Sequence, residues 1–92
     1  MKGMCELCER DDVVLTVHHL IPREYGGTKT AKLCIPCHKQ IHAIYTNEEL
    51  ASRLYTMERM QHDEQIASFI RWIRKQPAGR LPKIKKAKRR KR

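Results

Sequence analysis

Residues 34–42 read Cys34-Ile35-Pro36-Cys37-His38-Lys39-Gln40-Ile41-His42. A second pair with the same CxxC spacing lies upstream, at Cys5 and Cys8. Zn²⁺ in a structural site takes four ligands in a tetrahedron, and two CxxC pairs supply four thiolates with no open position. The sequence therefore predicts a structural zinc site with these ligands: Cys5, Cys8, Cys34 and Cys37. The neighbouring histidines are then left for another role.

Two alternatives use the cysteines differently. They could form two disulfides, but no apolar run near the N-terminus resembles a secretory signal, and no stretch of about 18 apolar residues could cross a membrane. The expected location is therefore the cytoplasm, where reducing conditions make paired cysteines typical of metal sites. In the second alternative, His38 or His42 replaces one cysteine at the zinc. A metal also suits a chain of 92 residues, which buries little apolar surface.

The formal charge of +10 is concentrated at the C-terminus. Residues 80–92 contain nine Lys/Arg and no acid, whereas the other 79 residues contain 11 Lys/Arg and 10 Asp/Glu. We predict that residues 79–92 are a basic disordered tail that binds a polyanion through counterion release, without sequence preference. A solubilising or protein-interaction tail is the alternative.

The pattern along the chain indicates two strands followed by helices. Residues 13–18 are rich in β-branched residues and predict a strand with Val13, Leu15 and Val17 on one face. A loop with a double glycine leads to a second, antiparallel strand at 31–34. Pro36 suits the first turn of a helix that runs from about Pro36 to Tyr45.

The second half of the chain predicts further helices. One helix covers roughly residues 47–54, and helical structure restarts at Thr56 or Asp63. Apolar residues recur at helical spacing between 63 and 76. We expect four of the side chains in this region to pack against the N-terminal unit or against a second copy of the chain: Phe69, Ile70, Trp72 and Ile73. A homodimer is therefore possible.

The histidines form a second candidate site. Residues four apart share a helix face, so His38 and His42 offer half of a site for a divalent metal while Cys37 faces the zinc. His18 and His19 point to opposite sides of a regular strand. One of them can complete a three-histidine metal site, and the other is free as a general base because imidazole titrates near neutral pH. The alternative is a set of exposed surface histidines.

Together these motifs resemble the HNH endonucleases with a zinc-bound ββα-metal (His-Me finger) fold, in particular a small bacterial and phage branch. The resemblance covers about Cys5 to Glu49 and rests on Val17-His18-His19-Leu20-Ile21-Pro22, on Gly26-Gly27, and on the CxxCH segment through His42. It implies an α+β fold with a ββα-metal core at about 5–46 and a helical extension at 47–76. These form a nuclease domain at 1–78, followed by the tail at 79–92.

The resemblance also implies roles for the histidines. His19 is the general base that activates water for attack on a DNA phosphodiester, and the catalytic ion is held by His18, His38 and His42. Family members leave 5′-phosphate and 3′-hydroxyl ends, by nicking or by double-strand cleavage. Mg²⁺ or Mn²⁺ is usual, although three imidazoles favour Mn²⁺, Ni²⁺, Co²⁺ or Zn²⁺ over Mg²⁺.

One position departs from the family pattern. The middle Asn is expected just before Cys34, but residues 28–32 read Thr-Lys-Thr-Ala-Lys. A threonine hydroxyl can replace that amide only weakly. Arg23 and Lys29 flank the loop and are candidates for DNA phosphate contacts. The alternative function is a non-catalytic zinc module that binds nucleic acid or protein; a membrane partner is not expected.

Overall fold

A three-stranded antiparallel sheet and four α-helices form the part of the chain that the structure, a computed structural model, describes, residues 1–77. The strands are β1 (Lys2–Gly3), β2 (Val13–His19) and β3 (Thr30–Cys34). The helices are α1 (Ile35–Ile44), α2 (Asn47–Arg53), α3 (Met57–His62) and α4 (Glu64–Ile73). The predicted α+β class is confirmed at this level, and the predicted basic tail at 79–92 lies outside the described residues.

The sheet has the order β1-β2-β3, and α1 begins directly after β3. The two predicted strands are present, each a residue longer than expected, whereas β1 was not predicted because two residues show no periodicity. Val13, Leu15 and Val17 share a face of β2 by alternation, but this face is buried only at its start, since Val13 is buried and Val17 is 49% exposed. The opposite face of β2, with Thr16 and His18, is the one that packs towards α1 at this end of the strand.

Local signals explain where the helices begin. Pro36 lies in the first turn of α1, where its missing N–H costs no hydrogen bond. Thr46 and Glu49 form a reciprocal capping box at the start of α2. Both predicted restart points are used, because Thr56 caps α3 and Asp63 caps α4. The region after residue 54 is therefore two helices.

Fewer side chains of α4 are buried than the sequence analysis expected. Ile66, Ile70 and Ile73 are buried, and Phe69 is partly buried against the core. Trp72 is 42% exposed, so it does not pack in the core of residues 1–77. Adjacent helical residues point about 100° apart, so the residue before the inward-facing Ile73 turns away from the core. Docking of this face on a second copy stays a prediction.

The C-terminal end of α4 is tied to the N-terminal CxxC turn. Arg74 Nε donates a hydrogen bond of 2.8 Å to the carbonyl of Cys8. In return, Arg10 Nη1 donates to the carbonyl oxygen of Gln76, at 3.2 Å. These contacts close the described fold around the cysteines. None of the helices in residues 1–77 is both long and apolar enough to span a bilayer.

Candidate metal centres

The four cysteines form a sulfur cluster inside the fold. Their Sγ atoms all lie within 4.8 Å of one another, and all four residues are buried. The Sγ atoms of Cys8 and Cys34 are 3.8 Å apart. Tetrahedral zinc with Zn–S bonds of about 2.3 Å places its sulfurs about 3.8 Å apart, whereas a disulfide bond is only about 2.05 Å long. The thiols are free, so the cluster fits one zinc ion and not two disulfides.

The first CxxC turn is arranged around the Cys5 sulfur. The backbone N–H groups of Leu7 and Cys8 both donate to Cys5 Sγ at 3.4 Å, and the positive φ of Glu9 (66°) closes the turn. Hydrogen bonds from Cys34 and Cys37 lower the pKa of the Cys5 thiol to about 6. Donated hydrogen bonds stabilise a thiolate, which is the form that binds metal.

One of the other sulfurs, that of Cys34, lies beside the guanidinium of Arg10. The pKa of Cys37 is raised, because its hydrogen bond to Cys34 retains the proton next to sulfurs that ionise first. Arg10 Nη2 lies 3.6 Å from Cys34 Sγ. Four thiolates around Zn²⁺ carry a net negative charge, and a nearby guanidinium offsets part of it. No pattern in the sequence predicted that Arg10 would lie at the sulfur cluster.

Three histidines form a separate imidazole cluster beside the sulfurs. One nitrogen from each of His18, His38 and His42 lies within 4.8 Å of the other two. The ring centroids of His18 are 5.1 Å from His38 and 5.4 Å from His42. The sulfur cluster is complete without them, so neither His38 nor His42 has to replace a cysteine. Strand β2 supplies one ring, and α1 supplies the other two.

His18 is the most unusual member of the imidazole cluster. It is 1% exposed, and neither of its ring nitrogens has a hydrogen-bond partner among residues 1–77. Burial lowers its pKa to about 4, helped by repulsion from the other imidazoles. An unpartnered polar group in the interior is costly and rare. A cation that accepts the ring's lone pair is a partner that fits the chemistry of this position.

The other two rings of the cluster also favour the neutral form. Burial lowers the pKa of His38, with a smaller contribution from His42, and burial lowers the pKa of His42. Neutral imidazole is the form that coordinates metals. Three imidazole nitrogens in one group can hold a divalent transition ion and leave positions open.

A cavity of about 290 Å³ opens next to the imidazole cluster. His19 and Arg23 line it together with the three clustered rings. His19 is half-buried and does not belong to the cluster, as expected for neighbouring residues on a strand. Lys29, the other predicted phosphate contact, is not part of this lining. The structure therefore brings Arg23 to the cavity and leaves Lys29 on the exposed loop surface.

Three further residues near the cluster were not singled out from the sequence. Glu24 and Asn47 also line the cavity, and Thr16 contacts His38. Thr16 could have been found, because residues two apart on a strand share a face and His18 was already a candidate. Nothing local in the sequence linked Asn47 to His42 across the end of α1.

The loop that carries Arg23 is held mainly by its own backbone. The N–H of Leu20 donates to the carbonyl of Lys29 at 3.0 Å, and Gly26 has a positive φ of 81°. A Cβ on Gly27 would lie 1.6 Å from the carbonyl oxygen of Ile21, so only glycine fits there. Backbone hydrogen bonds and this close approach fix the loop.

Comparisons with known proteins give two relatives. The chain is 60% identical over 91 residues to the uncharacterized protein YisB of Bacillus subtilis (strain 168), a match that covers 97% of this chain and 91% of that protein. It is 33% identical over 66 residues to the type IV methyl-directed restriction enzyme EcoKMcrA of Escherichia coli (strain K12), covering 59% of this chain and 24% of that protein. No family model matches the chain. No solved structure matches it either.

Proposed function

We propose that this chain, which belongs to the same family as Bacillus subtilis YisB, is a metal-dependent endonuclease that hydrolyses DNA phosphodiester bonds. The observation that carries the proposal is the imidazole cluster: one nitrogen from each of three rings lies within 4.8 Å of the other two, and one ring is fully buried with no hydrogen-bond partner for either nitrogen among residues 1–77. A cluster of this kind is costly for a purely structural module and suits a protein that binds a second ion.

Two further observations support the HNH assignment. Strands β2 and β3 and helix α1 follow one another in the chain, with a short 3₁₀ turn (Arg23–Tyr25) in the loop between the strands, and this is the order that a ββα-metal core requires. Partial similarity to a restriction enzyme agrees with action on DNA, although the match covers 24% of that enzyme. We assign residues 5–46 to this core and residues 47–76 to a helical extension.

Each side chain at the cavity then has a role. A divalent ion held by the imidazole cluster would act as a Lewis acid on the phosphate and stabilise the leaving 3′-oxygen. His19 accepts a proton from the attacking water, since it lines the cavity without belonging to the cluster. Arg23 lines the same cavity and neutralises a phosphate of the bound strand. The products carry 5′-phosphate and 3′-hydroxyl ends.

A plasmid-nicking assay tests this proposal. Zinc-loaded protein is incubated with supercoiled DNA and a series of divalent ions: Mg²⁺, Mn²⁺, Co²⁺ and Ni²⁺. His19→Ala should reduce the cleavage rate by about 10²–10⁴-fold, the usual contribution of a general base. His62→Ala is the matched control, because His62 is an exposed histidine on α3 outside the cavity lining. Undiminished cutting by His19→Ala would rule out its role as the base.

A non-catalytic zinc module that binds nucleic acid or protein is the second candidate, favoured by the absence of Asn in residues 28–32. Metal stoichiometry separates the two functions. The endonuclease should bind one tightly held zinc and one exchangeable ion per chain, and His38→Ala should lose only the exchangeable ion. A chain that binds a single ion under all conditions supports the module.

A further inference from the structure

We infer that Thr16 is a positioning residue that fixes which nitrogen of His38 is available to the second ion. The inference rests on the proposed function, because it concerns the same imidazole cluster. Thr16 lies on β2 and is partly buried between the sheet and α1.

The Thr16 hydroxyl has two close polar neighbours. Its Oγ1 atom lies 2.8 Å from the carbonyl oxygen of Leu33 and 2.8 Å from Nδ1 of His38. A carbonyl oxygen only accepts, and a hydroxyl has one proton to donate. If that proton goes to Leu33, Oγ1 must accept from His38, and Nδ1 of this ring then carries the hydrogen.

The tautomer of His38 follows from this arrangement. A neutral imidazole with its proton on Nδ1 has its lone pair on Nε2. The ring would therefore bind an ion through Nε2, while Nδ1–H anchors it to β2. Metal-binding histidines commonly donate their second N–H to a fixed acceptor in this way, which sets both tautomer and ring orientation.

The position of Thr16 on β2 explains its contact with His38. Thr16 and His18 are two residues apart on β2 and share a face. One strand therefore supplies one ligand of the cluster and also holds a ligand that comes from α1. A β-branched threonine suits the strand and has few χ1 alternatives, so the hydroxyl is held in place.

The first test reads the tautomer directly. Long-range ¹H–¹⁵N spectra of the full chain, loaded with one equivalent of zinc, distinguish protonated from unprotonated ring nitrogens. Wild-type protein should show His38 protonated at Nδ1, Thr16→Ser should retain that state, and Thr16→Val should lose it. Thr30→Val is the matched control on the exposed side of β3 and should leave the tautomer unchanged. A His38 protonated at Nε2 in wild-type protein, or the same tautomer in Thr16→Val, overturns the inference.

The second test measures binding of Mn²⁺ by the same four proteins. Loss of such a supporting contact weakens metal binding by about 10–100-fold. Thr16→Val should show this loss, Thr16→Ser should bind nearly as wild type does, and Thr30→Val should bind as wild type does. Equal affinity of Thr16→Val and wild type also overturns the inference. If wild-type protein takes up no second ion, the proposed function fails, and the tautomer spectra alone still decide the role of Thr16.

Discussion

Replacing His18 with leucine is expected to stabilise the protein that carries only its zinc, and to abolish the stabilisation by a second ion. His18 is buried at 1% exposure with two unpartnered ring nitrogens, so it is an unfavourable core residue unless an ion is bound. Leucine has no polar atoms to leave unpaired. The substitution thus separates the contribution of residue 18 to folding stability from its contribution to binding of the second ion.

The size of the effect follows from the two unpartnered nitrogens. Burying an unpaired polar group costs about 1–3 kcal/mol in mutational data, and imperfect shape matching of a hydrophobic replacement costs less than about 1.5 kcal/mol. The expected net gain is about 1–2 kcal/mol, which corresponds to a Tm increase of about 4–16 °C for a domain of this size. Wild-type protein should instead gain about 2.7 kcal/mol when the ion is present at a hundred times its Kd.

The assay is guanidinium unfolding with one equivalent of zinc, with and without Mn²⁺, which does not displace zinc from thiolates. His62→Leu is the matched control, since it makes the same change at an exposed histidine on α3, where surface substitutions change stability by about 0.5 kcal/mol or less. Two results would refute the reasoning. One is a His18→Leu protein that is less stable than wild type without Mn²⁺, and the other is an equal gain from Mn²⁺ in both proteins.

Three further predictions concern the pH response, the loop and the zinc. Because the pKa of His18 is about 4 in the folded protein and 6.5 in the reference state, the unfolded chain binds its proton first as pH falls. Wild type should therefore lose up to about 3 kcal/mol relative to His18→Leu between pH 6.5 and 4, and denaturant curves across that range measure the difference. Gly27→Ala should destabilise by about 3 kcal/mol or more, because its Cβ would meet the Ile21 carbonyl, whereas Gly26→Ala should cost only about 1–2 kcal/mol for its positive φ; equal costs in thermal melts would contradict this. Cys37→Ser should reduce both zinc content and Mn²⁺ uptake in metal analysis, and retention of full Mn²⁺ uptake would show that the two clusters are independent.

The parts of the candidate site that the sequence predicted are those set by short-range geometry. Two CxxC pairs place their own sulfurs together, and a spacing of four residues places His38 and His42 on one helix face. Alternation along β2 separated His18 from His19 in the same way. These features depend on backbone periods that hold in almost any fold.

The parts that were missed depend on how distant elements pack. Trp72 was expected to pack together with Phe69, Ile70 and Ile73, but its exposure depends on which face of α4 meets α1 and α3. Arg10 reaches the sulfur cluster only because the chain brings Cys34 beside it, 24 residues away. Thr16 gains its partner only where α1 crosses β2. Strand alternation could have placed Thr16 on the same face as His18, but no local pattern shows which helix packs against that face.

Helix α1 carries residues of both clusters. We expect the imidazole cluster to depend on the sulfur cluster more than the sulfur cluster depends on it. Cys37 belongs to the sulfur cluster, and the next residue, His38, belongs to the imidazole cluster, about 100° around the same helix turn. Structural zinc can contribute about 10–16 kcal/mol of apparent folding free energy in small domains, far more than the few kcal/mol available from an exchangeable ion. Loss of zinc should therefore disperse the imidazoles, because the start of α1 loses its anchor, whereas loss of the second ion leaves the sulfur cluster and the helix in place. We therefore expect zinc to bind first and the proposed second ion to bind only to zinc-loaded protein, because Cys37 anchors the helix turn that carries His38.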